Sequence, residues 1–251
     1  MSNQPQSIFV RIKRQKNPKS DPYWQTFVIP YRPRMNVIAI FREIARNPIT
    51  VDEKKTSPIV YESSCLEEVC GACSMVINGQ ARQSCSALVD KIGNELTIEP
   101  MSTFPVVCDL KVDRSRMFEA LKRVRAWIDI DGTHDLGPGP RMSPRDQQIA
   151  YELSKCMTCG VCLEVCPQVN TRSKFIGAAA ISQARLFNMH PTGAMHKESR
   201  LTKLMKNGGI ANCGNAQNCV RACPKGIPLT ESIAEIGRQT TVHWLKSLLK
   251  D

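Results

Sequence analysis

Residues 155–167 read KCMTCGVCLEVCP and place Cys156, Cys159, Cys162 and Cys166 at C-x2-C-x2-C-x3-C, followed by Pro167. At this spacing three thiolates suit three corners of one cubane iron–sulfur cluster. The fourth reaches over to a second cluster whose ligands come from a similar run elsewhere. A second run is therefore required. Counting onward from Cys213 at the same intervals leads to Ala216, Cys219 and Cys223, followed by Pro224, which is the same run with its second cysteine replaced by alanine. By the crossover rule Cys156, Cys159, Cys162 and Cys223 make four thiolates, enough for [4Fe–4S]. Cys166, Cys213 and Cys219 make only three. The corner facing Ala216 has no protein ligand, so a [3Fe–4S] cluster is predicted there. Each cluster draws on both runs, so the two segments are expected to fold together around the metal. Zinc on paired knuckles is the competing reading. Three thiolates crowded at x2 spacing, and a proline after each last cysteine, favour iron–sulfur.

Working outward, Cys65-x4-Cys70-x2-Cys73-x11-Cys85 opens like the plant-type [2Fe–2S] loop, in which a later strand supplies the fourth thiolate. Its last gap is shorter than in that loop, and zinc is again the alternative. Gly71, between two of these cysteines, lets the backbone come close. Cys108 fits none of these frames and reads as a small buried hydrophobe. His134, His190, His196 and His243 are scattered, and His190-Pro191-Thr192-Gly193 reads as a turn. No nucleophile–base pair, phosphate loop or flavin-binding glycine fingerprint is present. No catalytic residue is assigned, and the chain is expected to conduct electrons without substrate chemistry of its own.

The 251 residues are 42% apolar and can bury a real core. Thirty-four Lys and Arg against 23 Asp and Glu give a net charge of +11, which suits an anionic membrane face or an acidic partner. Nucleic acid is disfavoured, because aromatics are only 6% and scattered and cannot form the stacking platforms of single-strand binders. The N-terminal MSNQPQSIFVRIKRQKNPKSDPYW has no apolar core of a signal peptide, and no segment approaches the ~18 apolar residues of a membrane span. The chain is expected to be soluble and cytosolic. Thiols are reduced there, so the cysteines read as ligands rather than disulfides.

Two domains are predicted, residues 1–105 and 106–251. In the first, Ser7–Arg14 and Trp24–Pro30 alternate as strands, Asn36 caps a helix starting at Val37 and ending near Pro48, SMVI-Asn78-Gly79-QARQS reads as a type I′ hairpin, and Leu96–Pro100 as a further strand. Residues 101–112 read as a linker, although VVCDL within them could pack. In the second domain, Met117, Leu121, Val124 and Ile128 share a helical face, and Ser143-Pro144 starts another helix. Helices are expected near Ala178–Phe187 and Lys197–Lys206, and from Leu229 onward. The fold class is α+β, with a small strand-rich domain ahead of a mainly helical one.

The chain resembles, over nearly its full length, the iron–sulfur subunit of succinate dehydrogenase and the related fumarate reductases. CLEEVCGACSMVINGQARQSC (65–85), KCMTCGVCLEVCP (155–167) and NCGNAQNCVRACPKGIP (212–228) carry the resemblance in order and spacing. DGTHDLGPGPRMSP (131–144) and RLFNMHPTGAMHKESRL (185–201) are most similar to versions from Bacillus-like bacteria. The resemblance implies a β-grasp [2Fe–2S] ferredoxin domain followed by an α-helical ferredoxin domain. It implies a flavoprotein partner with FAD and a membrane-anchor cytochrome b subunit with haem b. The three clusters would pass electrons from succinate to menaquinone, at the cytoplasmic face of the cell membrane. Cys65, Cys70, Cys73 and Cys85 match the first cluster, Cys156, Cys159, Cys162 and Cys223 the second, and Cys166, Cys213 and Cys219 the third. Fumarate reduction, the reverse direction, uses the same parts, and a free-standing multi-cluster ferredoxin is a second alternative. Ubiquinone-reducing members place a tryptophan five residues after the cysteine matched by Cys166 and a histidine directly after the one matched by Cys213. Here those places hold Thr171 and Gly214, and only Pro167 agrees with the family's quinone pocket. The resemblance therefore implies electron transfer to a haem of the anchor.

Overall fold

Ile8, Val10 and Ile12 are buried while Phe9 and Arg11 between them are exposed, the two-residue period of a strand with one covered face. In the computed structural model, which describes residues 7–129 and 141–249, this stretch forms β1 (Ser7–Arg14). It pairs antiparallel with β2 (Tyr23–Pro30), Ser7 opposite Pro30 and Arg14 opposite Tyr23. His134 and residues 135–140 of the stretch DGTHDLGPGPRMSP lie outside the described residues. Asn36 accepts a 2.9 Å hydrogen bond from the Ala39 N–H and starts α1 (Val37–Arg46), whose Val37, Ile40, Phe41 and Ile44 are buried. β3 (Ser74–Ile77) and β4 (Gln80–Gln83) turn on Asn78 and Gly79, both left-handed at φ 49° and 74°, as a type I′ hairpin requires. After the single turn α2 (Val89–Ile92) comes β5 (Glu95–Glu99), parallel to β1 and antiparallel to β3. The sheet order is β2-β1-β5-β3-β4. With α1 packed into the same core, this is a β-grasp unit.

Residues 101–112 are not a linker. They form β6 (Val106–Cys108) and β7 (Lys111–Val112), with Met101, Phe104 and Leu110 buried. The reason is an ion pair invisible to periodicity. Arg14 donates from Nε to Asp109 Oδ1 at 3.0 Å and from Nη2 to Oδ2 at 2.8 Å, and both side chains are 2% exposed. Arg14 also donates to the carbonyls of Ser57 and Pro58, while Asp109 accepts from the Val60 N–H. One buried pair thus ties β1, the β6–β7 turn and the approach to the first cysteine loop. The compact units run Met1–Arg114 and Ser115–Asp251, which puts residues 106–114 with the first. Removing one partner of a buried pair strands the other charge. Asp109→Ala is expected to lower the stability of the first unit by about 3–5 kcal/mol, measured by urea denaturation followed by circular dichroism.

In the second unit α3 (Ser115–Arg123) stops before the predicted Ile128. Val124 is still buried, but Arg125 is left-handed at φ 49°. Arg200, fully buried, holds this departure. Its guanidinium donates to the carbonyls of Arg125 at 2.9 Å, Trp127 at 3.0 Å and Gly193 at 2.6 Å. The planar fork replaces helical hydrogen bonds with side-chain ones. Ser143 accepts from the Asp146 N–H and Pro144 takes the first position of α4 (Pro144–Ser154). Then follow α5 (Val161–Glu164), α6 (Gly177–Met189), α7 (Lys197–Leu204), α8 (Asn218–Ala222) and α9 (Leu229–Leu248). α6 is buried almost all round, as a central helix must be, and it packs on α9. His190–Gly193 is a turn, with the Gly193 N–H on His190 Nδ1 at 3.3 Å.

Candidate metal centres

In the first cysteine loop Leu66, Glu68 and Gly71 are left-handed, at φ 63°, 55° and 69°. Alternating backbone of this kind turns successive N–H groups inward and makes a concavity that favours negative charge. The amides of Glu67, Val69 and Cys70 all donate to Cys65 Sγ, at 3.4, 3.3 and 3.3 Å. Glu68 donates to Cys85 Sγ at 3.3 Å and Ala72 to Cys70 Sγ at 3.5 Å. The three amides draw the Cys65 thiol down to about 7, whereas burial pushes Cys73 up to about 12. Cys85 arrives from the far side of the β3–β4 hairpin, where the Ser84 N–H bonds the Cys73 carbonyl at 3.0 Å. Arg114 steadies the loop by donating to the Gly71 carbonyl at 3.0 Å, and both Arg114 and Lys111 pair with Glu62. The sequence carries no local signal for Arg14, Asp109 or Arg114, because their partners are remote along the chain.

The second unit contains two cysteine-lined hollows. One is lined by Cys156, Cys159, Cys162 and Cys223. The other is lined by Cys166, Cys213 and Cys219, with Ala216 and Pro167 on its wall. Each hollow therefore takes thiols from both runs. Asn218, beside Cys219, stitches the runs together by donating to the Val165 carbonyl at 3.0 Å. Left-handed Thr158 and Gly160 shape the first run, and Asn215 and Gln217, flanking Ala216, shape the second.

Burial drives the thiols of the first hollow upward: Cys159 to about 11, Cys162 well above the ordinary thiol value, and Cys156 in the same direction. The charges of Cys156, Cys159 and Cys223 add to this. Cys219 is raised by burial and then by Cys166 and Cys213. Soft donors crowded in a poorly solvated place favour a cationic centre that neutralises them, so the residues fit an iron–sulfur group. Among the described residues no three His, Cys, Asp or Glu side chains gather tightly enough to hold a single metal ion. Thiols that line a hollow of this kind fit a polynuclear cluster.

The two hollows lie on either side of the same helix ends. Ala178 and Thr230 line one, and their neighbours Ala179 and Leu229 line the other. The first turns of α6 and α9 carry the partial positive charge of a helix N-terminus, which favours anionic thiolate centres. Gly214 lines the second hollow, and a Cβ there would meet Gln168 Nε2 at 2.7 Å. Gln168 occupies the room that a larger residue at 214 would need. Thr171 is exposed. Cys108 is half-buried rather than buried, its thiol raised by burial and by the Asp109 charge.

The family profile for a 2Fe-2S iron-sulfur cluster binding domain matches residues 9–119, and that for a 4Fe-4S dicluster domain matches residues 152–227. The chain is 28% identical over 223 residues to the fumarate reductase iron-sulfur subunit of Wolinella succinogenes, covering 88% of this chain and 90% of that protein. Its fold matches a chain of the Mycobacterium smegmatis Sdh1 complex in the apo form, with a TM-score of 0.78 at 22% identity over 94% of this chain and 96% of the other. Identity rises to 62% over 243 residues with the succinate dehydrogenase iron-sulfur subunit of Bacillus subtilis, covering 97% of this chain and 96% of that protein. Likeness of that depth across both cysteine-bearing units means that the chain belongs to the family of succinate dehydrogenase iron–sulfur subunits.

Proposed function

We propose that this chain is the electron conductor of a succinate:menaquinone oxidoreductase, with [2Fe–2S] on Cys65, Cys70, Cys73 and Cys85, [4Fe–4S] on Cys156, Cys159, Cys162 and Cys223, and [3Fe–4S] on Cys166, Cys213 and Cys219. The observation that carries it is the pair of hollows, each lined by thiols of both runs, with Ala216 where a twelfth ligand would stand. Bound iron–sulfur groups supply one-electron storage at each set of thiolates. The protein's part is to hold those thiolates at fixed spacing, to exclude water from them, and to set their charge balance. In the first unit five backbone N–H groups do this by donating to Cys65, Cys70 and Cys85. Hydrogen bonds to sulfur stabilise the more negative, reduced state. In the second unit burial and the ends of α6 and α9 take that role. Consecutive residues line different hollows, so the two second-unit centres are near neighbours, as a stepwise conductor needs.

The partners in this reading are a flavoprotein subunit with FAD and a membrane-anchor cytochrome b subunit, and the chain is peripheral at the cytoplasmic face of the membrane. No helix among the described residues is long and apolar enough to cross a membrane. Gly214 with Gln168 against it, and exposed Thr171, leave out two of the residues that frame the family's ubiquinone pocket. Electrons are therefore assigned to a haem of the anchor, which relays them to menaquinone. In a complex reconstituted with the flavoprotein and the anchor, succinate is expected to reduce this chain's centres, and quinone reduction is expected to require haem. Normal quinone reduction by a haem-free complex would refute the assignment to haem. Centres that succinate leaves oxidised in a complex with active flavoprotein would refute the conductor role.

A further inference from the structure

Arg185 of α6 is a buried charge, 8% exposed, with no ion pair among the described residues and no hydrogen-bond partner for its Nε. Its Nη1 donates to Ser232 Oγ on α9 at 3.3 Å. That hydroxyl in turn donates to the Pro228 carbonyl at 3.3 Å, just before the first turn of α9. Ser182, fully buried on the same side of α6, also has a hydroxyl without a partner. Arg200 shows what a buried guanidinium otherwise requires, since its Nε, Nη1 and Nη2 all donate to carbonyls. A guanidinium does not shed its proton, so burying it beside a neutral hydroxyl is costly unless an anion lies near.

The carboxylate near it is already taken. Glu235 accepts from Arg238 Nε and Nη2 at 2.9 and 2.7 Å and from Gln239 Nε2 at 2.7 Å, so Glu235 and Arg238 cancel and Arg185 is left over. The Glu235 carboxyl is drawn down to about 2, chiefly by the Arg238 bonds, with the charge of Arg185 the least of the causes. Positions 178, 182 and 185 fall on one stripe of α6, and long helical side chains lean toward the helix N-terminus. The stripe thus runs from Arg185 back to Ala178, which lines the hollow of Cys166, Cys213 and Cys219. Ala179, which lines the other hollow, lies off that line. We propose that Arg185 is the counter-charge of the three-iron centre and raises its potential by favouring the reduced, more negative state. This rests on the cluster assignment made above and adds to it a residue outside every ligand run.

The test is a potentiometric EPR titration of the anaerobically purified, cluster-loaded chain, wild type beside R185M, R185Q and R185K. Both neutral variants are expected to lower the three-iron midpoint. At the wild-type midpoint the ratio of reduced to oxidised centre is expected to fall about tenfold, which is ~59 mV for one electron. The four-iron midpoint is expected to move less, and R185K, which keeps the charge, to stay within about threefold of wild type. R185Q, which keeps a donor for Ser232, decides the matter should R185M fail to assemble its centres. A role in packing alone would lower the melting temperature of the variants and leave the midpoints where they were. An unmoved three-iron midpoint in R185Q, a larger shift at the four-iron centre, or a shift in R185K equal to that in R185Q would overturn the proposal while the cluster assignment stood. Wild type without a three-iron signal would overturn the assignment itself and the proposal with it.

Discussion

Cys223→Ser is expected to abolish the reduced four-iron EPR signal and to cost the second unit its cooperative fold, although Cys223 is remote in sequence from the run that supplies the other three thiols. Cys223 lines the hollow of Cys156, Cys159 and Cys162, and its charge acts on all three. Burial holds Cys162 well above the ordinary thiol range, so without its metal this hollow is a poorly solvated cluster of polar sulfur rather than a core. Binding free energy at such a site is folding free energy. Serine offers a harder, weaker ligand in the same volume. Low-temperature EPR and thermal melting by circular dichroism read the two effects, and Cys108→Ser, which touches none of the sets, is expected to change neither. If Cys223→Ser removed the three-iron signal and spared the four-iron one, the crossover assignment would be wrong.

Ala216→Cys is expected to convert the three-iron centre to a four-iron one. Ala216 sits on the wall of the hollow lined by Cys166, Cys213 and Cys219, between left-handed Asn215 and Gln217. A thiol added to this Cβ extends into the hollow and completes a fourth corner. The oxidised three-iron EPR signal is expected to fall and a four-iron signal to appear on reduction, with quinone reduction slowed because the last centre now has a different potential. The samples need anaerobic handling, since air degrades four-iron centres to three-iron ones. An unchanged oxidised signal in the variant would show that position 216 does not face the cluster.

Much of this was legible in the sequence because ligand spacing is short-range chemistry. The interval from Cys156 to Cys166 and its echo from Cys213 to Cys223 mark the two ligand runs, and Asn78-Gly79, Asn36 and Ser143-Pro144 announce their turn and caps without tertiary help. The misreadings have a common physical cause. Arg14 and Asp109 form their pair across the fold, so residues 101–112 looked like a linker although they brace the first cysteine loop. Arg200 likewise ends α3 early by binding carbonyls that a helical pattern would have paired internally.

The most direct measurement is low-temperature EPR of the anaerobically purified wild-type chain, oxidised and then reduced stepwise, with iron and acid-labile sulfide determined on the same sample. The predicted result is an oxidised three-iron signal stoichiometric with the chain, followed on reduction by two-iron and four-iron signals. A chain with no three-iron signal, or one that holds zinc in place of iron and sulfide, would contradict the account.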